Sequence, residues 1–422
     1  MKDRNYQSAL LGRTAYGHKG RAIALEEQVQ YSLINEEITL PVAVVKQSSL
    51  QNNLQWMQRF ADHHHVHLAP HSKTSMTPDF IQQQLENGAW GITVATPAQA
   101  EVAALAGAKN IIMANQLVGK ANMFLIASLI EQFDVDFYCC ADSMVNLDQL
   151  DSYFSQAKFS QAKVTLNVLL ERGVEGGRCG CRSGEELLEL ADAMQGMPAL
   201  KLAGIEVYEG VIQGNNQEQL IRDFLNETLT LVQTLSADKL VEGKPIITGA
   251  GSAWYDVVSE CFANLTHSTA IIRPGCYAIH DTGIYLDAQS GVMARAEENG
   301  GYACELGGDL ESSLEVWAYV ISRPEPTKAI VGLGKRDVAF DAGLPIPEHG
   351  YSNGKPISVS GIKATAVMDQ HTFIELDADN DIQVGDMIAF STSHPCLTFD
   401  KWRHIAICDD EYMVTHWVET CF

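Results

Sequence analysis

Lys73 is the residue whose position most directly suggests chemistry. It ends a short apolar run, in the sequence Ala-Pro-His-Ser-Lys-Thr of residues 69–74. A lysine at an interior strand end is unusual, because a buried ammonium is costly unless it is paired or neutral. A desolvated lysine with a lowered pKa condenses readily with an aldehyde such as pyridoxal phosphate. The alternative is an exposed lysine just past the strand.

A glycine-rich loop, Thr-Gly-Ala-Gly-Ser at 248–252, follows an apolar run and precedes a predicted helix. Backbone N–H groups and hydroxyls at such a helix start can converge on a phosphate. The loop has no Walker lysine and is short for a dinucleotide fingerprint. The candidate phosphate ligands, with two from the segment 273–277, are Thr248, Gly249, Gly251, Ser252, Gly275 and Tyr277. The alternatives are a plain glycine-rich turn and a core-capping tyrosine.

Three further residues are candidates for ligand or metal binding. Arg178, between glycines, can anchor a carboxylate or a phenolic oxygen, or can be a surface arginine. His394 and Cys396 are two residues apart, so they can share a soft divalent metal, zinc first. Two protein ligands leave positions open for water and substrate, as in a Lewis-acid metal. The alternative is a core cysteine beside a surface histidine.

A run of histidines at 63–65 and 67 also resembles a metal cluster. It precedes a predicted barrel strand, on the side opposite to the catalytic face. We therefore expect a solvated histidine run there.

The elements that would position these residues alternate between apolar runs and stretches of helical period. The runs are residues 67–73, 91–96, 110–116, 136–142, 163–171, 200–209, 245–251 and 268–275. Helices are predicted at 78–86, 97–105 and 217–235, the first two opening with proline after threonine. The pattern predicts an α/β fold, a TIM-type (β/α)8 barrel, with function at the carboxyl ends of its strands.

After about residue 290 the sequence changes to alternating strands and turns, which predicts a second, mainly β domain. The predicted divisions are an N-terminal segment at 1–42 that packs on the β domain, a barrel at 43–288 and the β domain at 289–422. The segment is too short to fold alone.

Composition narrows the class of protein. The chain of 422 residues has 29 Lys and Arg against 53 Asp and Glu, a formal charge of −24 that disfavours nucleic acid and anionic membranes. It has no apolar stretch long enough to span a membrane. Its 10 cysteines are scattered rather than densely spaced. We expect a cytoplasmic protein with reduced thiols.

Taken together, these motifs resemble the D-threonine aldolase and D-serine dehydratase family, of fold type III, the alanine-racemase-like pyridoxal phosphate enzymes. The resemblance spans about residues 35–420 and includes Pro-His-Ser-Lys-Thr, Thr-Gly-Ala-Gly-Ser, Arg-Pro-Gly-Cys-Tyr and His-Pro-Cys. It implies that Lys73 holds the cofactor and that His394 and Cys396 hold the metal in the β domain. Ser72 stands where many relatives have alanine. We take Tyr208 as the candidate facing the pyridine nitrogen, ahead of Glu206.

The His-x-Cys pair is typical of the family's dehydratases, whereas its aldolases more typically have an aspartate-containing pattern. The tail at 398–403 resembles the bacterial amino-acid deaminase branch. The resemblance therefore implies elimination of a D-β-hydroxy amino acid, D-serine or D-threonine, to a 2-oxo acid and ammonia. D-threonine aldolase is the first alternative, followed by a racemase or a non-catalytic cofactor carrier. A homodimer is also expected.

Overall fold

The computed structural model describes residue 19 and residues 30–156, 164–263 and 265–422. The chain divides into two compact units. The first, the β unit, comprises residues 1–53, 278–287 and 309–422, and the second, the barrel unit, comprises 54–277 and 288–308. Most of the predicted N-terminal segment, residues 1–18 and 20–29, lies outside the described residues.

The β unit begins with strands β1 (Tyr31–Ser32) and β2 (Val42–Lys46), followed by helix α1 (Gln47–His63), which continues into the barrel unit. Apolar residues of β2 are fully buried. The strand β2 leads toward the barrel in sequence, yet it pairs inside the β unit.

The barrel unit contains eight parallel strands. They are β3 (His67–Leu68), β4 (Ile92–Val94), β5 (Asn110–Gln116), β6 (Asp136–Ala141), β7 (Leu166–Arg172), β8 (Leu200–Val207), β9 (Ile246–Gly249) and β10 (Thr269–Ile272). Each strand from β4 to β9 pairs with the next along the chain, and β10 pairs with β3. A parallel bridge between His71 and Thr93 then joins the first strand to the second. The predicted barrel is confirmed.

Helices alternate with these strands. They are α2 (Pro78–Glu86), α3 (Pro97–Leu105), α4 (Lys120–Phe133), α5 (Met144–Gln156), α6 (Gly184–Ala193), α7 (Gln217–Ala237), α8 (Tyr255–Phe262) and α9 (Ile284–Asn299), which begins in the β unit. The predicted bounds of α2 and α3 are confirmed, and α7 extends two residues beyond its predicted end. Thr96 caps α3 through its side chain, whereas Thr77 makes no such bond to α2. Among the described residues, no helix has the length and apolarity to cross a bilayer.

The interior of the barrel is filled by apolar side chains from most of its strands. They are Ala69, Ile112, Leu169, Ala203, Ile246 and Ile271, with Trp90 and Tyr138 packed against them. This filling makes the barrel a solid core rather than a pore. Polar residues therefore have room only at the strand ends.

The remaining strands belong to the β unit and confirm its predicted β character. They are β11 (Leu314–Glu325), β12 (Lys328–Val331), β13 (Ile346–Ser352), β14 (Lys355–Ile357), β15 (Lys363–Val367), β16 (Thr372–Glu375), β17 (Met387–Ser391), β18 (His404–Cys408) and β19 (Met413–Glu419), with helix α10 (Pro395–Phe399). They form an eleven-stranded sheet with β1 and β2. Strand β1 pairs with β19, so the described end of the N-terminal segment belongs to this sheet.

Gly204 allows β8 to pass close to β9. Its φ is +151°, in the region that favours glycine, and it lies at a register shift between β7 and β8. A Cβ added there would overlap the carbonyl oxygen of Ile246 on β9. The backbone contact between these two strands therefore requires glycine.

We expect Gly204→Ala to lower the free energy of unfolding by about 3 kcal/mol or more, because strand β8 would have to shift away from β9. Urea unfolding measures the change. The matched control is Gly196→Ala in the same unit, where an added Cβ meets no atom within 4 Å. That control should stay within about 0.5 kcal/mol of the parent chain. Equal effects of the two substitutions would contradict the packing argument.

Candidate active site

Lys73 lies just beyond the first barrel strand, in a one-turn 3-10 helix of residues Ser72–Thr74. The predicted strand at 67–73 is shorter in the structure, because the chain turns after the His71 bridge. The buried Ser72 hydroxyl donates to the carbonyl oxygen of Thr93 at 3.2 Å, which fixes this turn to the second strand. The Lys73 side chain is exposed. Ser72 thus has a structural role beside Lys73.

His71 shows that positive charges converge around Lys73. Burial lowers the pKa of His71 well below its usual range, and the charges of Lys73, Arg273 and Arg178 lower it further. The imidazole is therefore neutral at physiological pH. Two candidates chosen from the sequence, Lys73 and Arg178, share this neighbourhood with Arg273.

Tyr208 connects Arg178 with the glycine-rich loop. The Arg178 guanidinium carbon lies 4.1 Å from the centroid of the Tyr208 ring, which is a cation–π contact. A Cβ added to Gly251 would lie 3.0 Å from the same ring. Glycine at this position allows the loop to pack against the flat face of the tyrosine. The structure thus brings Arg178, Tyr208 and Gly251 together.

The glycine-rich loop is held by a residue that the sequence did not indicate. The carboxylate of Glu209, which is fully buried, accepts hydrogen bonds from the Ala250 N–H at 3.1 Å and the Gly251 N–H at 2.9 Å. These are two of the N–H groups expected to face a phosphate. In the structure they bind a carboxylate of the same chain.

Two main-chain N–H groups that follow β10 donate to the same side-chain oxygen of the glycine-rich loop. The Ser252 hydroxyl oxygen accepts from the Gly275 N–H at 3.4 Å and from the Cys276 N–H at 3.3 Å. A Cβ added to Gly275 would lie 2.5 Å from the His71 carbonyl oxygen, so the backbone approaches the first strand closely. The structure therefore brings together Ser252 and Gly275, two of the predicted phosphate ligands.

Tyr277 and Thr248 are placed differently from each other. The buried Tyr277 hydroxyl accepts a hydrogen bond from the Gln84 side chain of α2 at 3.4 Å. Thr248, near the end of β9 and just before Gly249, has a buried hydroxyl without a hydrogen-bond partner in the described part of the chain. Tyr277 thus packs with α2, whereas Thr248 has a free polar atom inside the barrel.

A buried ion pair lies at the ends of β8 and β10. Arg273 donates through Nη2 to the Glu206 carboxylate and to the Val207 carbonyl oxygen, the latter at 3.1 Å. The Glu206 Oε2 and Arg273 Nη1 atoms are buried without partners among the described residues. Because orphaned buried polar atoms are rare, these two and the Thr248 hydroxyl fit a site that receives a polar ligand.

Glu171 lies close to Glu206 and has a raised pKa. Its Oε2 accepts from the Gln116 amide at 2.6 Å, and one carboxylate oxygen of each glutamate lies within 4.8 Å of the other and of the Cys140 sulfur. Burial and then the charge of Glu206 raise the pKa of Glu171 to about 7. At a pKa of about 7, the Glu171 carboxyl holds a proton for part of the time near neutral pH.

In the β unit, His394 and Cys396 contact each other at the start of α10. The hydrogen bond between His394 and Cys396 raises the pKa of His394 most, and the hydrogen bond between His394 and Asp341 adds to it, which brings the pKa to about 9. Asp341 Oδ2 lies 2.8 Å from His394 Nδ1. This leaves Nε2 as the ring nitrogen for a metal, since metal-binding histidines commonly bond a carboxylate through the other nitrogen.

Asp281 supplies a carboxylate on the chain segment that packs against the strand before His394. Its Oδ1 accepts three main-chain N–H groups at the start of α9, while Oδ2 is buried without a partner among the described residues. Burial raises the pKa of Asp281 to about 6. An imidazole and a thiol in contact suit zinc, so His394 and Cys396 fit a divalent metal. Among the described residues, they form no group of three metal-binding side chains with Asp281.

Three histidines of the run are solvated as the sequence predicts, whereas His64 is half-buried and its ring lies 4.5 Å from that of Phe60. His63, His65 and His67 are exposed, and His63 stacks on Tyr302 with ring centroids 3.3 Å apart. None of them belongs to a group of three metal-binding side chains in the described ranges.

Comparison with known proteins identifies the family. Residues 45–280, more than half of the chain, match the alanine racemase N-terminal domain. The chain belongs to that family. Residues 313–408 match a serine dehydratase domain, so both units have a counterpart among known families.

Curated relatives and solved structures agree. The D-threonine aldolase of Arthrobacter sp is 27% identical over 402 residues, covering 94% of this chain and 96% of that protein. A 3-hydroxy-D-aspartate aldolase of Paracoccus denitrificans is 24% identical, covering 87% and 88%. The D-threonine aldolase structure from Filomicrobium marinum aligns with a TM-score of 0.74 at 22% identity, covering 94% and 98%. The D-threo-3-hydroxyaspartate dehydratase of Delftia sp. HT23 aligns at 0.71 and 18%, covering 93% and 99%.

These findings confirm the resemblance to the D-threonine aldolase and D-serine dehydratase family of fold type III. The chain is an enzyme of the lyase type, and the family supports pyridoxal phosphate as its cofactor.

Four residues of the site were missed or undervalued by sequence reasoning. Arg273 belongs to the Arg-Pro-Gly-Cys-Tyr motif but has no predicted role of its own. Glu209, Asp281 and Asp341 have no role predicted from the sequence. A signal existed for Glu209, because it directly follows the candidate Tyr208. Asp341 lies 53 residues before its partner His394, so no local pattern connects the two.

We expect Glu171→Gln to stabilise the protein at pH 8 by about 1 to 3 kcal/mol and to have little effect at pH 5. The pKa of Glu171 is raised from 4.5 to about 7 in the folded chain, so folding favours its protonated form. Stability is therefore lost as the pH rises through this range, and glutamine removes that loss. Urea unfolding at both pH values measures the effect.

The matched control is Glu101→Gln, because Glu101 is exposed on α3 in the same unit. It should change stability equally little at pH 5 and pH 8. An equal gain at both pH values for Glu171→Gln would show that its burial does not penalise the ionised form.

Proposed function

We propose that this chain eliminates the β-hydroxyl group of D-serine and D-threonine, giving pyruvate or 2-oxobutanoate and ammonia. The contact between the His394 imidazole and the Cys396 thiol carries this proposal, because a nitrogen and a sulfur ligand suit a zinc ion with open positions. A relative supports it: solved variants of the D-threo-3-hydroxyaspartate dehydratase replace a histidine and a cysteine two positions apart, and the cysteine variant is in the metal-free form.

Bound pyridoxal phosphate would supply an electron sink for the α-carbon, and a divalent metal would stabilise the leaving hydroxide as a Lewis acid. His394 and Cys396 would hold the metal, with Asp341 keeping the imidazole oriented. The residues that would hold the cofactor are Lys73, Arg178, Tyr208, Ser252 and Gly275.

Lys73 is the proposed base. Its amine, on the turn fixed by Ser72, would take the α-proton of the substrate. The neutral His71 adds no positive charge beside it, whereas Arg178 and Arg273 provide fixed positive charge for anionic groups. The α-hydrogen and the hydroxide leave as water, and one water is taken up when the nitrogen is released as ammonia. The net products are therefore a 2-oxo acid and ammonia.

Aldol cleavage is the second candidate, because two curated relatives are a D-threonine aldolase and a 3-hydroxy-D-aspartate aldolase. In that reaction a base removes the β-hydroxyl proton, the Cα–Cβ bond breaks, and glycine and an aldehyde form. The thiol ligand Cys396 argues for elimination. A racemase needs no metal, and a non-catalytic carrier of this fold needs no β unit, so both account for fewer of the residues. The homodimer and the cytoplasmic location stay predictions.

The products formed from D- and L-serine, threonine and 3-hydroxyaspartate test the proposal. We expect 2-oxo acid and ammonia from the D-isomers of serine and threonine only, with loss of activity after chelation. Lys73→Ala should release neither product. Glycine and an aldehyde from D-threonine would instead establish the aldolase.

A second experiment isolates the metal's role. We expect Cys396→Ala to reduce elimination from D-serine by about a hundredfold or more, while elimination from D-β-chloroalanine persists, because chloride leaves without a Lewis acid. Metal content measured by mass spectrometry should fall in parallel. Cys421→Ala is the matched control, since Cys421 is an exposed cysteine of the same unit. Equal loss with both substrates would refute leaving-group activation.

A further inference from the structure

Glu209 lies in a 3-10 turn of residues Glu209–Val211, directly after β8 and Tyr208. Its side chain is fully buried, and each carboxylate oxygen accepts one of two consecutive main-chain N–H groups, those of Ala250 and Gly251. A buried carboxylate is costly, so its retention beside the glycine-rich loop calls for a reason.

The hydrogen-bond pattern favours the ionised form of Glu209, because both partners are N–H donors and a carboxylate has no hydrogen of its own to place. Burial raises the pKa of Glu209, and the N–H groups of the loop and the charge of Arg273 oppose that rise.

The two N–H groups belong to a strained turn. Ala250 has a φ of +69°, a left-handed conformation that costs a residue with a side chain about 1 to 2 kcal/mol. Successive N–H groups in such a turn form a concave binding site for an anion. The Glu209 carboxylate fills that site from within the chain and stabilises the turn.

This turn sets the direction of the chain that follows. Immediately after it, the Ser252 hydroxyl meets the Gly275 and Cys276 N–H groups at 3.4 and 3.3 Å. The Ser252 hydroxyl accepts from both N–H groups and keeps its own hydrogen to donate, whereas the Ala250 and Gly251 N–H groups are both bonded to Glu209. We propose that Glu209 is a positioning residue for the phosphate of the cofactor: it braces the loop from behind so that Ser252, Gly275 and Cys276 face that phosphate.

The inference rests on pyridoxal phosphate as the cofactor and not on the proposed reaction. Two physical effects of Glu209, its charge and its positioning of the loop, act on phosphate binding in opposite directions. A nearby negative charge repels a phosphate, so if charge dominated, removing Glu209's charge would tighten binding. If positioning dominates, the same change loosens binding. Because both carboxylate oxygens are already bonded to the loop and Arg273 offsets the charge, we expect positioning to dominate.

Comparing pyridoxal phosphate with pyridoxal separates a phosphate effect from a general one, because the two differ only in the phosphate and both can react with Lys73. The full chain, freed of cofactor, is titrated with each compound, and binding is followed by absorbance. We expect Glu209→Gln to weaken pyridoxal phosphate binding about tenfold and to leave pyridoxal binding unchanged. Glu209→Asp, which keeps the charge but withdraws the carboxylate, should act in the same direction.

Asp337→Asn is the matched control. Asp337 is a buried carboxylate of the β unit that accepts the Gly334 N–H at 3.0 Å, so its loss costs comparable stability without touching the loop. It should leave the ratio of the two dissociation constants unchanged.

Three results would overturn the proposal: tighter binding of pyridoxal phosphate by Glu209→Gln, an equal change for both compounds, or no change in either soluble variant. Should one variant fail to fold, the other decides. A parent chain that binds neither compound would refute the cofactor itself, whereas altered reaction products would leave this inference intact.

Discussion

The buried ion pair between Arg273 and Glu206 is the interaction on which the barrel's functional end depends. Arg273 follows β10 and reaches across β9 to bond Glu206 and the Val207 carbonyl oxygen on β8. Both side chains are buried, so removing either partner would leave an unpaired charge, at a cost of about 3 to 5 kcal/mol. The pair therefore holds three neighbouring strands in one register.

The charges around this pair are coupled to one another. Burial and the charge of Glu206 raise the pKa of Glu171 to about 7, so this carboxyl is partly protonated near neutral pH. Arg273 also helps to keep His71 neutral beside Lys73, and it offsets the charge of Glu209. One guanidinium thus affects His71 beside Lys73, the pair of glutamates and the carboxylate that holds the glycine-rich loop.

The β unit positions His394 and Cys396, the two proposed metal ligands. His394 precedes a short helix that begins with Pro395, and the Thr392 and Thr398 hydroxyls bond to each other at 2.7 Å. This contact closes the loop that carries both proposed metal ligands, and Asp341 bonds the Nδ1 atom of His394. In the proposed reaction, the barrel unit would supply the base and the β unit the group that assists the leaving hydroxide.

The sequence by itself determined the barrel, the β unit and the residue types at the strand ends, because hydrophobic periodicity and glycine or proline punctuation are local properties. Local spacing and motif also indicate Lys73, Arg178, Tyr208, Ser252 and His394 as candidates. The sequence predicts some strands as longer than they are, as at 67–73, because a polar turn continues the apolar run without a break. Partners distant in sequence were decided only by tertiary structure: the loop N–H groups bind Glu209 and not the expected phosphate, and His394 meets Asp341. A hydrogen bond depends on which groups the folded chain brings within 3 Å, and sequence spacing does not contain that distance.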